Sequence, residues 1–81
     1  MARFYFHLRD HTDELLDPEG VECANVQAIA TKALSAARDL IAGDVKDGAI
    51  DLRYRIDVED AASEIVHSIE FEDAVIIARA A

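Results

Sequence analysis

Residues 26–42 carry a helical period, and no other stretch of the chain does. At about 100° per residue, Val26, Ile29, Ala30, Ala33, Leu34, Ala37, Leu40 and Ile41 gather on one side of a helical wheel. Gln27, Thr31, Lys32, Ser35, Arg38 and Asp39 gather on the other. A chain of 81 residues with one amphipathic helix must lay that helix on a sheet built from the rest. Asn25 is the N-cap type, its side chain ready to accept from free first-turn amides. Alanines at 30, 33 and 37 keep the middle of the apolar face low, with Ile29, Leu34, Leu40 and Ile41 gripping the edges. Gly43 offers a left-handed cap, and Asp44 would fall on the apolar arc. The regular helix is therefore expected to end near Ala42, with a frayed turn to Gly48.

On either side the period is two. Phe4, Phe6 and Leu8 alternate with Arg3, Tyr5, His7 and Arg9, a half-buried strand whose core side is the Phe, Phe, Leu side. Residues 10–20 form an acidic connector closed by Pro18-Glu19-Gly20, with Leu15 and Leu16 placed to turn back to the core. Residues 20–23 read as a short strand antiparallel to the first, Val21 and Cys23 inward. From Asp51, Leu52, Tyr54, Ile56 and Val58 face inward and Arg53, Arg55, Asp57 and Glu59 outward. Asp60-Ala61-Ala62-Ser63 is a turn, and Ile65, His67, Ile69 and Phe71 then share one parity against Val66, Ser68 and Glu70. Residues 72–81 are compatible with a helical turn, a strand extension or a segment docked on a second subunit. The sum is a single α+β domain of ββαββ order, a four-stranded antiparallel sheet with one amphipathic helix on one face.

Composition narrows the partners. Eight Lys and Arg against 17 Asp and Glu give a net charge of −9, which repels nucleic acid and anionic membranes at long range. Of the hydrophobic residues, 15 are alanines, so the core is modest and the chain has a physical motive to form a homodimer. One cysteine, Cys23, rules out an internal disulfide and points to a reducing, cytoplasmic setting. No apolar run approaches the ~20 residues that span a bilayer, and the N-terminal stretch lacks the apolar run of a signal peptide. No membrane partner is expected.

The segments Arg3-Phe4-Tyr5-Phe6-His7-Leu8-Arg9-Asp10, Asp17-Pro18-Glu19-Gly20-Val21-Glu22, Ile56-Asp57-Val58 and Phe71-Glu72-Asp73-Ala74-Val75 follow one another around the alanine-spaced helix. Together they resemble a group of short proteobacterial proteins classed only as a domain of unknown function. The resemblance runs to about Ile77 and departs in the hairpin turn, where Ala62-Ser63 stand in place of the family's usual glycine. It implies a bacterial, cytoplasmic, stand-alone domain and brings no catalytic residues with it.

The candidate interaction face is the side of the sheet away from the helix, where Arg3, Tyr5, His7, Arg9, Arg53 and Arg55 would converge. Guanidinium groups beside an aromatic ring suit phosphate or base stacking, as on sheets that bind single strands. The competing reading is a solvated face whose arginines pair across strands with Asp57, Glu59 or Glu70, and the net charge favours it. His7 and His11 do not share a face, and His11 with Asp10, Asp13 and Asp17 lacks calcium-loop spacing, so no metal is expected. His67 reads as an edge or core residue and Cys23 as a small buried apolar one, on the opposite face from His7. The three glycines stand apart, so there is no phosphate loop. No serine has a suitable spacing to His and Asp, and the connector's exposed acids have nothing to raise a pKa. No enzyme, cofactor or small-molecule ligand is expected. The chain reads as a small non-enzymatic interaction domain that homodimerises through a sheet edge, the open face or the C-terminal apolar tail; the alternative is a nucleic-acid-binding or antitoxin-like regulatory domain using the arginine face.

Overall fold

The computed structural model describes residues 1–80. Five strands, β1 (Ala2–Arg9), β2 (Glu14–Leu15), β3 (Val21–Cys23), β4 (Arg55–Glu59) and β5 (Ile65–Glu70), form one antiparallel sheet. The helix α1 (Val26–Lys46) crosses one face of it, and the single-turn α2 (Phe71–Ala74) follows β5. The spatial order is β2-β1-β4-β5, with β3 also paired to β1, so β2 and β3 share one edge of β1. This is the α+β architecture expected from the periods, with the short β2 added inside the connector.

The parity of β1 is as expected. Phe4, Phe6 and Leu8 pack towards a core of Cys23, Ile29, Ala33, Ala37, Ile41, Ile56, Val58, Phe71 and Ala74. The buried helix positions Ile29, Ala33, Ala37 and Ile41 recur every fourth residue, and both alanines are 0% exposed. A side chain of one carbon at the centre of the contact lets the helix backbone sit close to β4, while isoleucines close the stripe at each end. Val26 and Leu40, expected on that stripe, are exposed instead because it is narrower than the wheel suggests.

The helix ends later than expected. Gly43 stays helical, and Gly48 takes the positive φ of 92°. Its N–H donates to the Val45 carbonyl at 3.0 Å and that of Ala49 to the Asp44 carbonyl at 3.1 Å. These paired bonds satisfy two end carbonyls, and at this end of the helix it is Gly48, not Gly43, that needs glycine's freedom. At the other end the Asn25 side chain accepts from the Ala28 N–H at 2.8 Å, as its residue type predicts.

Three further departures have local causes. β4 begins at Arg55 rather than Asp51, because the Asp51 carboxylate accepts from the Arg53 N–H and folds that segment into a turn. In β5 an irregularity sets Ile65 opposite Glu59 and His67 opposite Val58, leaving Val66 as an extra residue. That bulge moves Ile65 onto the face away from the helix, against its expected parity. Leu15 and Leu16, expected to return to the core, are exposed.

Phe71 does not continue the strand. It starts α2, buried, with its ring 5.9 Å from that of Tyr54 and its N–H bonded to the Tyr54 carbonyl. The Arg38 guanidinium donates to the Ala74 carbonyl at 2.8 Å, fastening α2 to the helix. Val75 beyond it is extended (φ −139°, ψ 157°).

Two substitutions test this packing. Ala37→Leu inserts three carbons at a fully buried contact and is expected to destabilise by about 1–3 kcal/mol or more in urea unfolding. In the β4–β5 turn Ser63 holds a left-handed φ of 64°, so Ser63→Gly is expected to raise stability by up to about 1 kcal/mol in the same measurement.

Candidate interaction face

The face of the sheet away from α1 is built by register. Pairing of Tyr5 with Glu59, His7 with Asp57 and Arg9 with Arg55 places Tyr5, His7, Arg9 and Arg55 beside the two acids of β4. Across the next pair, Asp57 meets Ser68 and Arg55 meets Glu70. Arg3, Tyr5, His7, Arg9 and Arg55 thus share the face, as the alternation predicts. Arg53 does not: it lies in the turn before β4, its guanidinium 2.9 Å from the Asp51 carboxylate and its side chain 78% exposed. That bond and the Arg53 N–H hold the Asp51 carboxyl down to about 2.

Asp57 is the centre. Only 2% exposed, it accepts from Ser68 Oγ at 2.6 Å, Arg9 Nη1 at 3.1 Å and Arg55 Nε at 3.1 Å. Burial opposes its charge, but the Ser68, Arg9 and Arg55 donors together keep its carboxyl below the usual aspartate range. Arg9 also reaches Glu59 at 2.8 Å and Glu14 at 2.9 Å. The Glu14 and Asp57 bonds push its guanidinium further towards the charged form. The arginines of β1 and β4 are therefore held by acids of the same sheet.

Along the other edge of β1, residues 16–20 lie opposite residues 5–7, a wide bulge between β2 and β3. Asp17 fills it. One carboxylate oxygen accepts from the Phe6 N–H at 3.2 Å; the other accepts from Glu19 and Gly20 N–H groups at 3.2 and 3.1 Å. Burial again works against its charge, yet these backbone donors hold the carboxyl below its ordinary value. The Asp17 N–H donates to His7 Nδ1 at 3.0 Å. A neutral His7 ring must then carry its proton on Nε2, which lies 3.5 Å from Glu59. His7 is 8% exposed and stacks on Tyr5, ring centroids 6.3 Å apart. Gly20 (φ 71°) permits the tight return: a Cβ there would stand 2.9 Å from the Phe4 carbonyl and the Tyr5 ring. Arg3 closes this end, donating to the Glu19 carbonyl at 2.7 Å.

Asp17, Ser68 and Glu14 complete the face; residue pattern singles out neither Ser68 nor Glu14, and Asp17 enters it only as a candidate cation ligand beside His11. Ser68 does share its outward parity with Glu70. For Asp17 the signal was the Asp-Pro-Glu-Gly string itself, an aspartate set to accept from following amides. A cleft of about 390 Å³ opens beside the network, lined by Tyr5, His7, Arg9, Leu16, Glu59 and Asp60 among others. His11 sits exposed in the Asp10 turn, and His67 is half-buried opposite Val58. Cys23 lies in the core on the other side of the sheet from His7. Among the described residues no group of three His, Cys, Asp or Glu side chains could hold a metal ion. Among them, too, no helix is long and apolar enough to cross a membrane.

Fold and face together define a small α+β domain whose uncovered sheet surface is a charge-neutralised network. The chain belongs to the family described as Domain of unknown function (DUF6894), whose model matches residues 3–72. No curated protein and no solved structure matches it. The match spans β1 to the start of α2, so the apolar residues 75–77 lie beyond it.

Removing the central acid takes the carboxylate partner from Arg55 and the acceptor from Ser68, while Arg9 keeps Glu14 and Glu59, so Asp57→Ala is expected to cost about 3–5 kcal/mol in denaturant unfolding. Asp17 and Asp57 bind protons more weakly folded than unfolded, so their contribution is complete above the ordinary value of 3.8 and lost as pH falls through their lower folded values. Below that value, acid unfolding followed by circular dichroism should be shallower in Asp57→Asn than in wild type.

Proposed function

We propose that this protein is a small, non-enzymatic interaction domain of the bacterial cytoplasm that functions as a homodimer. What carries the reading is area. A folded monomer of this mass is expected to expose about 4,800 Å². This chain exposes 5763 Å². The excess is close to the roughly 800 Å² that each partner contributes to a standard interface. The exposed residues include Val26, Ile65, Val66, Ile76 and Ile77, side chains that gain by leaving water. The single cysteine supports the reducing compartment.

Enzymatic chemistry has little to draw on. The buried polar groups of the open face are paired with one another, and His7 has a backbone donor on one nitrogen and a carboxylate beside the other. Nucleic-acid binding by the same face has less support than self-association. Arg9 and Arg55 are engaged by Glu14, Asp57 and Glu59, and Arg53 stands off the sheet.

The test is sedimentation equilibrium or light scattering at micromolar concentration, where a mass near twice 8.9 kDa is expected and a clean monomer would refute the dimer. Two copies of a −9 chain repel, so added salt should tighten the dimer. Binding to short RNA or DNA that weakens with salt, and weakens further in Arg9→Ala with Arg55→Ala, would instead favour the nucleic-acid reading.

A further inference from the structure

We propose that the homodimer forms by reciprocal exchange of residues 75–80, each copy laying this segment along the free edge of the other's β5. The inference rests on the self-association reading and specifies its geometry.

β5 ends the sheet, so its outer edge presents backbone N–H and C=O groups that no strand among the described residues pairs. Of the usual guards of such an edge, β5 has the bulge at Val66 near its start; Ile65–Glu70 contains no lysine and no proline, Ile65 and Val66 are both exposed, and the strand from His67 to Glu70 is regular. Val66 also borders an apolar groove of about 600 Å³ lined by Met1, Phe4, Cys23, Val26 and Ile29. An unfilled groove thus adjoins an unpaired edge.

The same chain carries a segment that fits both. Residues 74–78 are Ala-Val-Ile-Ile-Ala, uncharged and β-branched at the centre. Val75 is already extended, Ile76 is 96% exposed and Ile77 is exposed. Six residues from Val75 to Ala80 span about 20 Å as a strand, the length of the six-residue β5. Alternation then sends Ile76 to one side of the sheet and Val75 and Ile77 to the other. Charge favours the match as well: the segment's only ionic group is Arg79, and β5 is preceded by Glu64 and ends on Glu70. The segment leaves its own domain through α2, which stays buried and held by Arg38, so exchange releases only Val75 from the margin of its own core.

The experiment compares wild type with Ile76→Asp combined with Ile77→Asp, and with Leu15→Asp as a control at an exposed apolar site away from β5. Wild type and control are expected to dimerise equally. The tail variant should dimerise at least tenfold more weakly with an unchanged circular dichroism spectrum. In a mixed sample of labelled and unlabelled copies, intermolecular NOEs should connect the Ile76 or Ile77 methyls with β5 or its groove. A wild type that stays monomeric overturns both the self-association reading and this one. A wild-type dimer that the tail variant leaves intact, or whose intermolecular NOEs run only between the two β5 strands or across the arginine face, overturns the exchange alone.

Discussion

The approach of the helix to the sheet through Ala33 and Ala37 governs the rest of the molecule. With both methyl groups fully enclosed, the helix axis has no room to rise or roll, and the phenylalanine side of β1 must face it. Once that side is committed, the alternation of a strand forces Tyr5, His7 and Arg9 onto the opposite surface. The polar face is therefore a consequence of the core, assembled by side chains that had nowhere else to go.

What makes that face tolerable is internal neutralisation. Asp57, nearly sealed from water, holds a hydroxyl and two guanidinium groups. Removing the charges from water is costly, and the geometry offsets it by giving each carboxylate oxygen a donor. Asp17 does the equivalent for the backbone, supplying an acceptor to the Phe6 N–H where β2 and β3 fail to meet. A surface organised in this way locks β1 to β4 and gives Arg9 and Arg55 partners within the sheet. The unspent contacts lie elsewhere, at the β5 edge and the apolar residues beyond α2.

Legibility followed the range of the interactions involved. The strand period of β1, the Asn25 cap and the helix were readable because each depends on neighbours a few residues away. The pairing of arginines with Asp57 and Glu59 was readable one step further, because outward positions of adjacent strands must meet. The misreadings arose where a local bond competed with a period: Asp51 capturing Arg53 removed an arginine from the face, and a bulge at Val66 reversed Ile65. The helix end was misplaced because Gly43 and Gly48 look alike in sequence, and only the second has carbonyls positioned to receive the turn.

By itself the sequence determined the class of fold, the inward side of β1 and the presence of a polar face, since periodicity and burial of apolar side chains leave one arrangement for a lone helix. Tertiary structure alone decided that β2 and β3 share one edge of β1, that Asp17 enters the gap between them, and that Phe71 turns away from the strand to bond Tyr54 and start α2. Those outcomes depend on which distant backbone groups find partners, and residue type in one dimension carries no record of that pairing.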